Sequence, residues 1–215
     1  MPTPKPEDAA EKLLEVDART VEAVQPYQDS KLLERIADLG DQPPLRVLCA
    51  STIAAGVLAR DRRFVRAGVR MLAAHTLATW AKDFVKHRVD RRRPRSAGDP
   101  RTDHRPAPGR SRDKEETSFP SGHAAGAAAV GRALARELPE YAVPAYAVSS
   151  VLAVAQVPRC AHYPTDVGAG IAIGVAAEAL VGAAMRLFPG TGSEGGGDAL
   201  SPLGLPLDFA PDRSL

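Results

Sequence analysis

The sequence contains few aromatic residues and few cysteines. Phe, Trp and Tyr together account for 5% of the 215 residues, and Cys49 and Cys160 are the only cysteines. Two cysteines cannot form a disulfide framework, and without a CxxC pair they give no indication of a structural zinc site. Because large aromatic side chains are scarce, the apolar segments consist mainly of Ala, Val, Leu and Gly.

The chain also lacks a large charge excess and a recognisable signal sequence. Its formal net charge is +2, from 28 Lys and Arg against 26 Asp and Glu. The N-terminal region contains no basic segment followed by a short apolar run, so we expect no cleaved secretory signal. Hydrophobic residues make up 44% of the chain, which is enough for a sizeable core and excludes wholesale disorder.

Apolar residues recur at helical intervals in most of the chain. An amphipathic helix is predicted over 8–24, and a second short helix over 30–39. Longer apolar segments with helical character follow at 45–60, 64–86, 121–137, 141–157 and 166–187. No segment shows the alternation of a strand series, so the predicted fold class is all-α: a helical bundle of about five core helices plus N-terminal amphipathic helices.

The composition divides the chain into three parts. Residues 1–44 form the predicted N-terminal amphipathic segment, 45–187 the core helical domain, and 188–215 a flexible tail rich in Gly, Pro and Ser. Within the domain, the stretch 87–119 is rich in Arg, Asp and Pro and shows no sustained periodicity, which is typical of a loop.

The last predicted helix is a candidate membrane span. Segment 166–187 has few polar interruptions, and its length approaches the roughly 20 residues that cross a bilayer core. Segment 64–86 is heavily charged for a span, and a soluble bundle with Ala-rich buried helices is the alternative. We expect an integral membrane protein on hydropathy.

Three clusters carry residue types that bind phosphate. The first is Lys86 with Arg93-Pro94, at the end of a predicted helix. A lysine offers a compact ammonium group, and an arginine offers a planar fork that binds two phosphate oxygens at once. A solvated basic helix end is the simpler interpretation of this cluster on its own.

The second cluster, Pro120-Ser121-Gly122-His123, immediately precedes an apolar helix. Ser121 is a suitable N-cap, and Gly122 lets the backbone approach a ligand closely. Backbone N–H groups at a helix N-terminus favour anions, and His123 would lie in the first turn beside a bound anion. The simpler interpretation is a capped helix with an incidental histidine.

The third cluster contains Arg159, His162 and Asp166. A carboxylate that meets the histidine through a turn can orient the imidazole and stabilise its positive form. A His–Asp pair is common in proteins. Because no third and fourth ligand at suitable spacing accompanies it, we expect no metal site.

In their order along the chain, the clusters resemble the motifs of the type 2 phosphatidic acid phosphatase superfamily, whose fold and site the vanadium haloperoxidases share. The family pattern is KxxxxxxRP, then PSGH, then SRxxxxxHxxxD. Lys86 with Arg93-Pro94 matches the first motif, 120–123 matches the second in full, and His162 with Asp166 matches the end of the third. The resemblance implies the helical fold of this family for the core domain.

One position departs from the family pattern. The arginine of the third motif should lie six residues before the histidine, where this chain has Gln156. The nearest arginine is Arg159, three residues later. Either Arg159 or a loop arginine takes over this role, or activity is weakened or lost, since a hydrogen bond to a charged group contributes about 1.5–3 kcal/mol.

The resemblance implies a metal-independent phosphatase without a cofactor. His162, oriented by Asp166, would attack phosphorus and form a phosphohistidine, and His123 would protonate the leaving alcohol and then help to activate water. The phosphate-binding residues would be Lys86, Arg93, Ser121, Gly122 and Arg159.

The same resemblance implies a lipid phosphate as substrate, of the phosphatidic acid or polyprenyl diphosphate type, and a bacterial-type inner (plasma) membrane as location. Anionic lipid headgroups would suit the basic run 91–95 and the scattered basic residues Arg101, Arg105, Arg110, Arg112 and Lys114. No aromatic platform or recognition motif accompanies the basic residues, so we expect no nucleic-acid partner. His75 and Lys82 share a helix face with Lys86 and would line the bundle interior or pair with Glu178.

Two other functions remain open at this point. One is a soluble acid phosphatase or vanadium haloperoxidase-like enzyme, against which the short chain and the missing signal sequence count. The other is a catalytically weakened relative that binds phospholipid without turnover, which Gln156 motivates.

Overall fold

The computed structural model describes residues 6–98 and 105–187. Within them the chain forms seven α-helices: α1 Pro6–Val24, α2 Lys31–Leu39, α3 Gln42–Ala59, α4 Arg62–Lys86, α5 Gly122–Glu137, α6 Ala142–Val154 and α7 Pro164–Leu187. Two-residue strands, β1 (Val89–Asp90) and β2 (Ala107–Pro108), pair antiparallel in the loop between α4 and α5. The predicted all-α class, with five core helices after two N-terminal helices, is confirmed. The predicted tail, 188–215, lies outside the described residues.

Helix α5 is the centre of the core bundle and packs against α4, α6 and α7. Its buried residues are almost all Ala and Gly. On α7, a Cβ atom at Gly170 would lie 2.4 Å from the Ser121 carbonyl oxygen, and one at Gly174 would lie 2.3 Å from that of Ala125. Only glycine fits at such distances, so α5 and α7 meet backbone to backbone. Close approach of small-residue helices therefore builds a core that needs few aromatic side chains.

The helix ends that carry the three motifs meet at one end of this bundle. The Ser121 N–H donates to the Asp166 carbonyl oxygen at 3.0 Å, which places the N-termini of α5 and α7 side by side. Gly122 lies beside Lys82 near the C-terminus of α4, where an added Cβ would be 3.4 Å from the lysine Cε. The loop between α4 and α5 returns across the same end.

The N-terminal helices pack onto the core domain. Helix α1 contacts α7, and α2 contacts α6. Val21 of α1 is buried against Cys160 and Tyr163, which flank the histidine of the third motif. Asp17 of α1 is fully buried as well. The N-terminal segment, which contains none of the three motifs, therefore borders the end of the bundle where the motifs meet.

A buried ion cluster joins α4, α5 and α7 within the bundle. Arg70 donates to Glu178, and the Arg132 Nε donates to the same carboxylate at 2.5 Å. Because two guanidinium groups surround it, the buried charge of Glu178 is compensated. The alternative in which His75 or Lys82 pairs with Glu178 is therefore wrong. Both side chains are buried in the bundle interior instead.

Helix α7 is, among the described helices, the one long and apolar enough to cross a bilayer, and 33% of its apolar window is buried. The other predicted spans do not meet this criterion. Large apolar side chains nevertheless face outward on α3, α4 and α6, with Leu58 85%, Val143 81% and Trp80 71% exposed. Extensive exposed apolar surface marks a contact with a membrane or another apolar partner.

Candidate active site

A cavity of about 140 Å³ lies at the end of the bundle where the motifs meet. It is lined by five of the predicted site residues: Lys86, Arg93, Gly122, His123 and His162. It is also lined by residues that the motifs do not include: Gly40, Asp41, Gln42, His75 and Lys82. All three motifs and the junction between α2 and α3 therefore contribute to one cationic cavity with three histidines, two of which belong to the motifs.

His162 lies in the turn between α6 and α7 and is 2% exposed. Its Nδ1 is 3.6 Å from Asp166 Oδ2, longer than a normal hydrogen bond, so the carboxylate acts on the ring mainly through its charge. Burial lowers the pKa of His162 to about 4, and the nearby carboxylate offsets only part of this effect. The imidazole is therefore neutral at neutral pH, as a nucleophile must be.

Asp166 is held in place by a buried arginine that the motif analysis did not single out. The Arg91 Nη1 donates to Asp166 Oδ1 at 2.6 Å, and the Tyr163 N–H donates to Oδ2 at 2.9 Å. The Arg91 Nη2 donates to Asp17 Oδ2 at 2.7 Å, and Asp17 Oδ1 accepts from the Thr165 N–H at 3.0 Å. One guanidinium group thus connects the N-terminal helix to the carboxylate behind the histidine.

Arg93 forms part of the cavity wall. Its Nε donates to the Lys114 carbonyl oxygen at 2.7 Å, and its Nη1 donates to that of Ala161 at 3.0 Å. Burial, together with the charge of Arg95, lowers the pKa of Arg93, but an arginine remains charged at any physiological pH. The two carbonyl oxygens orient the guanidinium, so that a fixed positive charge borders the cavity.

The basic run 91–95 is largely engaged within the protein, which contradicts its predicted role as a headgroup surface. Arg91 and Arg93 are buried. The Arg95 Nη2 donates to Glu115 Oε1 at 2.7 Å, and this hydrogen bond lowers the pKa of Glu115 to about 2. Acidic and carbonyl groups of the returning loop and of α1 lie opposite the arginines, and their positions cannot be read from local sequence.

The N-terminus of α5 contributes backbone groups and the His123 imidazole to the cavity wall. The Ser121 hydroxyl accepts from the Ala124 N–H at 3.4 Å and caps the helix. Ser121 is fully buried and does not itself line the cavity, whereas Gly122 and His123 do. The His123 Nε2 lies 2.8 Å from Asp41 Oδ1. A bound anion at this helix end would therefore meet backbone N–H groups and the His123 ring.

The structure does not bring Arg159 into the cavity. Arg159 lines a neighbouring depression of about 300 Å³, together with Asp29, Glu34 and Arg95. Gln156 is fully buried, and its side-chain nitrogen and oxygen have no hydrogen-bond partner within 6–98 and 105–187. Among the described residues lining the cavity, Arg93 is the one arginine. In the described cavity wall, no second arginine thus replaces the arginine of the third motif, and Lys82 is the cation there that the motifs do not include.

Three residues near the histidines were missed by the motif analysis, and two of them had a signal in the sequence. Asp17 lies on the apolar face of α1, between Leu14 and Val21, where a carboxylate requires a buried partner. Arg91 lies two residues before Arg93, inside the first motif. Asp41 had no distinguishing signal, because an aspartate at the start of a helix is normally an N-cap.

The described residues contain no cluster of side chains suitable for binding a metal ion. In 6–98 and 105–187, no three His, Cys, Asp or Glu side chains lie close enough together to hold a metal ion.

Comparisons with known proteins give one family, one pair of relatives and one solved structure. The model of the PAP2 superfamily matches residues 67–187. Decaprenylphosphoryl-5-phosphoribose phosphatase, from two strains of Mycobacterium tuberculosis, is 33% identical over 126 residues, which are 57% of this chain and 61% of the relative. The match therefore spans less than two thirds of the relative's length.

The structural comparison supports the same fold. The crystal structure of the first transmembrane PAP2 type phosphatidylglycerolphosphate phosphatase from Bacillus subtilis superposes with a TM-score of 0.57. The superposition covers 82% of this chain and 87% of that chain, at 19% sequence identity. At that identity the likeness establishes the architecture of the helical bundle.

Proposed function

The chain belongs to the PAP2 superfamily, and from this premise we propose that it hydrolyses a phosphate monoester or diphosphate of a membrane lipid through a phosphohistidine intermediate. One observation carries the proposal: a single cavity holds a buried neutral histidine, a second histidine, and the cationic groups of Lys86 and Arg93. This is the set of groups that a metal-independent phosphoryl transfer requires.

In the first step, the lone pair of the neutral His162 attacks phosphorus, and the bond from phosphorus to the leaving oxygen breaks. Lys86, Arg93 and the backbone N–H groups at the start of α5 stabilise the charge on the phosphoryl oxygens. His123 gives a proton to the leaving oxygen. Asp166 stabilises the positive charge that His162 acquires.

In the second step, His123 accepts a proton from a water molecule, and the water oxygen attacks the phosphorus of the phosphohistidine. The bond between phosphorus and His162 breaks, inorganic phosphate leaves, and His162 returns to its neutral form. His123 has recovered from the water the proton that it gave to the leaving oxygen, so both histidines are then in the state in which the next cycle begins.

We expect phosphate release to persist to unusually acidic pH. His162 must be neutral to attack, and its pKa is lowered from 6.5 to about 4, so the nucleophile is lost only as the pH falls through the lower value. The acid limb of kcat/KM, measured with a water-soluble phosphate ester, should therefore lie near pH 4. Thermal unfolding measured over the same pH range shows whether the loss of activity is caused by unfolding. If the acid limb of kcat/KM lies near pH 6.5 while the protein is folded, the result contradicts a buried neutral nucleophile.

The lipid nature of the substrate is supported by an apolar groove. The groove, of about 250 Å³, runs between α3, α5 and α6 and includes Leu45, Val148 and Leu152. Leu45 lies one helical turn after Asp41, and Leu152 borders Gly40, so the groove begins beside the cavity. The relatives' names, a decaprenylphosphoryl compound and a phosphatidylglycerolphosphate, point to the same class of substrate.

The chain-length dependence of phosphate release tests this assignment. Val148 is 58% exposed in the groove, so Val148→Trp fills the groove without disturbing the core. We expect KM for a long-chain lipid phosphate to rise about 10-fold, the loss of roughly 1.4 kcal/mol of apolar contact, and KM for a short-chain ester to stay unchanged. The matched control is Val143→Trp, on the exposed face of the same helix but outside the groove.

The assay is made on washed membranes and on the soluble fraction, with EDTA present. Phosphate release from phosphatidic acid or a polyprenyl diphosphate in the membrane fraction supports the proposal. Lipid binding without release from either lipid contradicts it and favours a non-enzymatic phospholipid-binding relative, which the position of Arg159 outside the cavity would explain. Release confined to the soluble fraction contradicts the membrane location.

A further inference from the structure

The carboxylate of Asp41 contacts His123 instead of capping its own helix. Asp41 is the N-cap residue of α3, yet its side chain forms no capping hydrogen bond. An aspartate at this position normally caps its helix, so this arrangement leaves a favourable local interaction unused. Asp41 Oδ1 lies instead 2.8 Å from the His123 Nε2, and both residues line the cavity.

Burial first, and then a strongly cationic environment, disfavour the protonated form of His123 and lower its pKa. Lys86 from α4, Arg93 from the loop and Arg159 from the turn after α6 all act on His123 with positive charge, and Asp41 from the junction of α2 and α3 acts with the opposite sign. Among the described residues that line the cavity, Asp41 is the one carboxylate. The charges that attract a phosphate therefore oppose a protonated His123, and Asp41 compensates for them.

We propose that Asp41 is a positioning residue for His123: its carboxylate orients the ring and stabilises the imidazolium that protonates the leaving group. The inference rests on the proposed function, since it assigns Asp41 a role in the proton transfer of that reaction. Asp41 lies outside the residues that match the family model, 67–187, so the N-terminal segment completes the catalytic site.

The contact between Asp41 and His123 indicates which ring nitrogen gives the proton to the leaving group. The His123 Nε2–H donates to Asp41 throughout, and the proton that reaches the leaving oxygen comes from Nδ1. The electron pair of the broken bond between phosphorus and oxygen stays on that oxygen and takes up this proton. Nδ1 of the neutral ring then accepts a proton from the attacking water in the second step.

Two substrates with different leaving groups test the role of Asp41. An alkyl phosphate needs a proton on its leaving oxygen, whereas p-nitrophenyl phosphate releases a stable phenolate and does not. For Asp41→Asn we expect kcat/KM, which covers only the steps up to formation of the phosphohistidine, to fall about 10-fold or more on the alkyl phosphate, within the range that general acid catalysis contributes. On p-nitrophenyl phosphate, kcat/KM should fall by no more than about 2-fold, and KM should not rise on either substrate, because the substitution removes a negative charge from a phosphate-binding cavity.

Two controls accompany this variant. Asp38→Asn removes the same charge from an exposed position three residues earlier and should leave both substrates unaffected. Asp41→Glu keeps the carboxylate and should retain more alkyl phosphate activity than Asp41→Asn. The alkaline limb of kcat/KM for the alkyl phosphate should also move to lower pH in Asp41→Asn, because the imidazolium loses its counter-charge.

The outcomes separate this inference from the proposed function. Equal losses on both substrates in Asp41→Asn indicate a merely structural role and overturn the inference, as does behaviour indistinguishable from Asp38→Asn. A gain in kcat overturns it too, since Asp41 would then hold His123 in an inactive state. Absence of phosphate release by the unaltered protein on either substrate overturns the proposed function itself.

Discussion

Replacing His162 with alanine is expected to abolish phosphate release. In the proposed mechanism the buried imidazole supplies the electron pair that attacks phosphorus, and no other group in the described cavity wall has the same position beside Asp166. Loss of a covalent nucleophile in enzymes that act through one typically lowers kcat by about 10⁴-fold or more. The measurement is steady-state release of inorganic phosphate from the lipid phosphate, at saturating substrate.

The intermediate gives a second readout for the same residue. After a brief reaction with a ³²P-labelled substrate and acid-free denaturation, the unaltered protein should carry an acid-labile label, and the His162 variant should carry none. Because His162 is buried, His162→Gln accompanies the alanine variant and preserves most of the packing. His87→Ala, at an exposed histidine, is the control. Retained turnover in a folded His162 variant contradicts the assignment.

Replacing Arg91 with methionine is expected to destabilise the protein more than any other single change of charge near the site. Arg91 is 2% exposed and binds both Asp17 and Asp166, which are fully buried. Without the guanidinium, two carboxylates remain buried and uncompensated. Removal of one partner from a buried ion pair costs about 3–5 kcal/mol of the free energy of unfolding. The measurement is thermal or denaturant unfolding in detergent micelles.

The neighbouring arginine provides a matched control for this prediction. Arg92 has a half-exposed side chain, so Arg92→Met should change the free energy of unfolding by less than about 1 kcal/mol. Adding Asp17→Asn to Arg91→Met removes one of the uncompensated carboxylates and should restore part of the stability. Unfolding curves of the Arg91 and Arg92 variants that coincide contradict a role for Arg91 as the shared counter-ion.

Part of the candidate site was accessible from local sequence. The order and spacing of Lys86, Arg93, Gly122, His123 and His162 predicted a phosphate site, and the structure places these residues around one cavity. The spacing of these residues predicts their relative positions because the ends of helices have a well-defined backbone geometry. A glycine at the start of a helix can occupy few positions relative to that helix, and so can a histidine four residues before a carboxylate.

The basic run 91–95 shows where local sequence fails. Its composition is that of a solvated or headgroup-binding surface, yet Arg91 is buried between α1 and α7. The partner Asp17 lies 74 residues away along the chain. Whether an arginine faces solvent or a buried carboxylate depends on which distant segment packs against it. The periodicity of the run itself does not indicate that segment.

The sequence by itself determined the helical class, because apolar residues recur at helical intervals and small residues allow the helices to pack closely. It also predicted four residues of the candidate site, Lys86, Arg93, His123 and His162, since the motifs contain them. Only the tertiary structure decided that Asp17 and Asp41, from outside the family match, reach this site, and that Arg159 lies outside its cavity. The physical reason is that a buried charge takes its counter-charge from whichever segment packs against it, and that packing is a property of the whole fold.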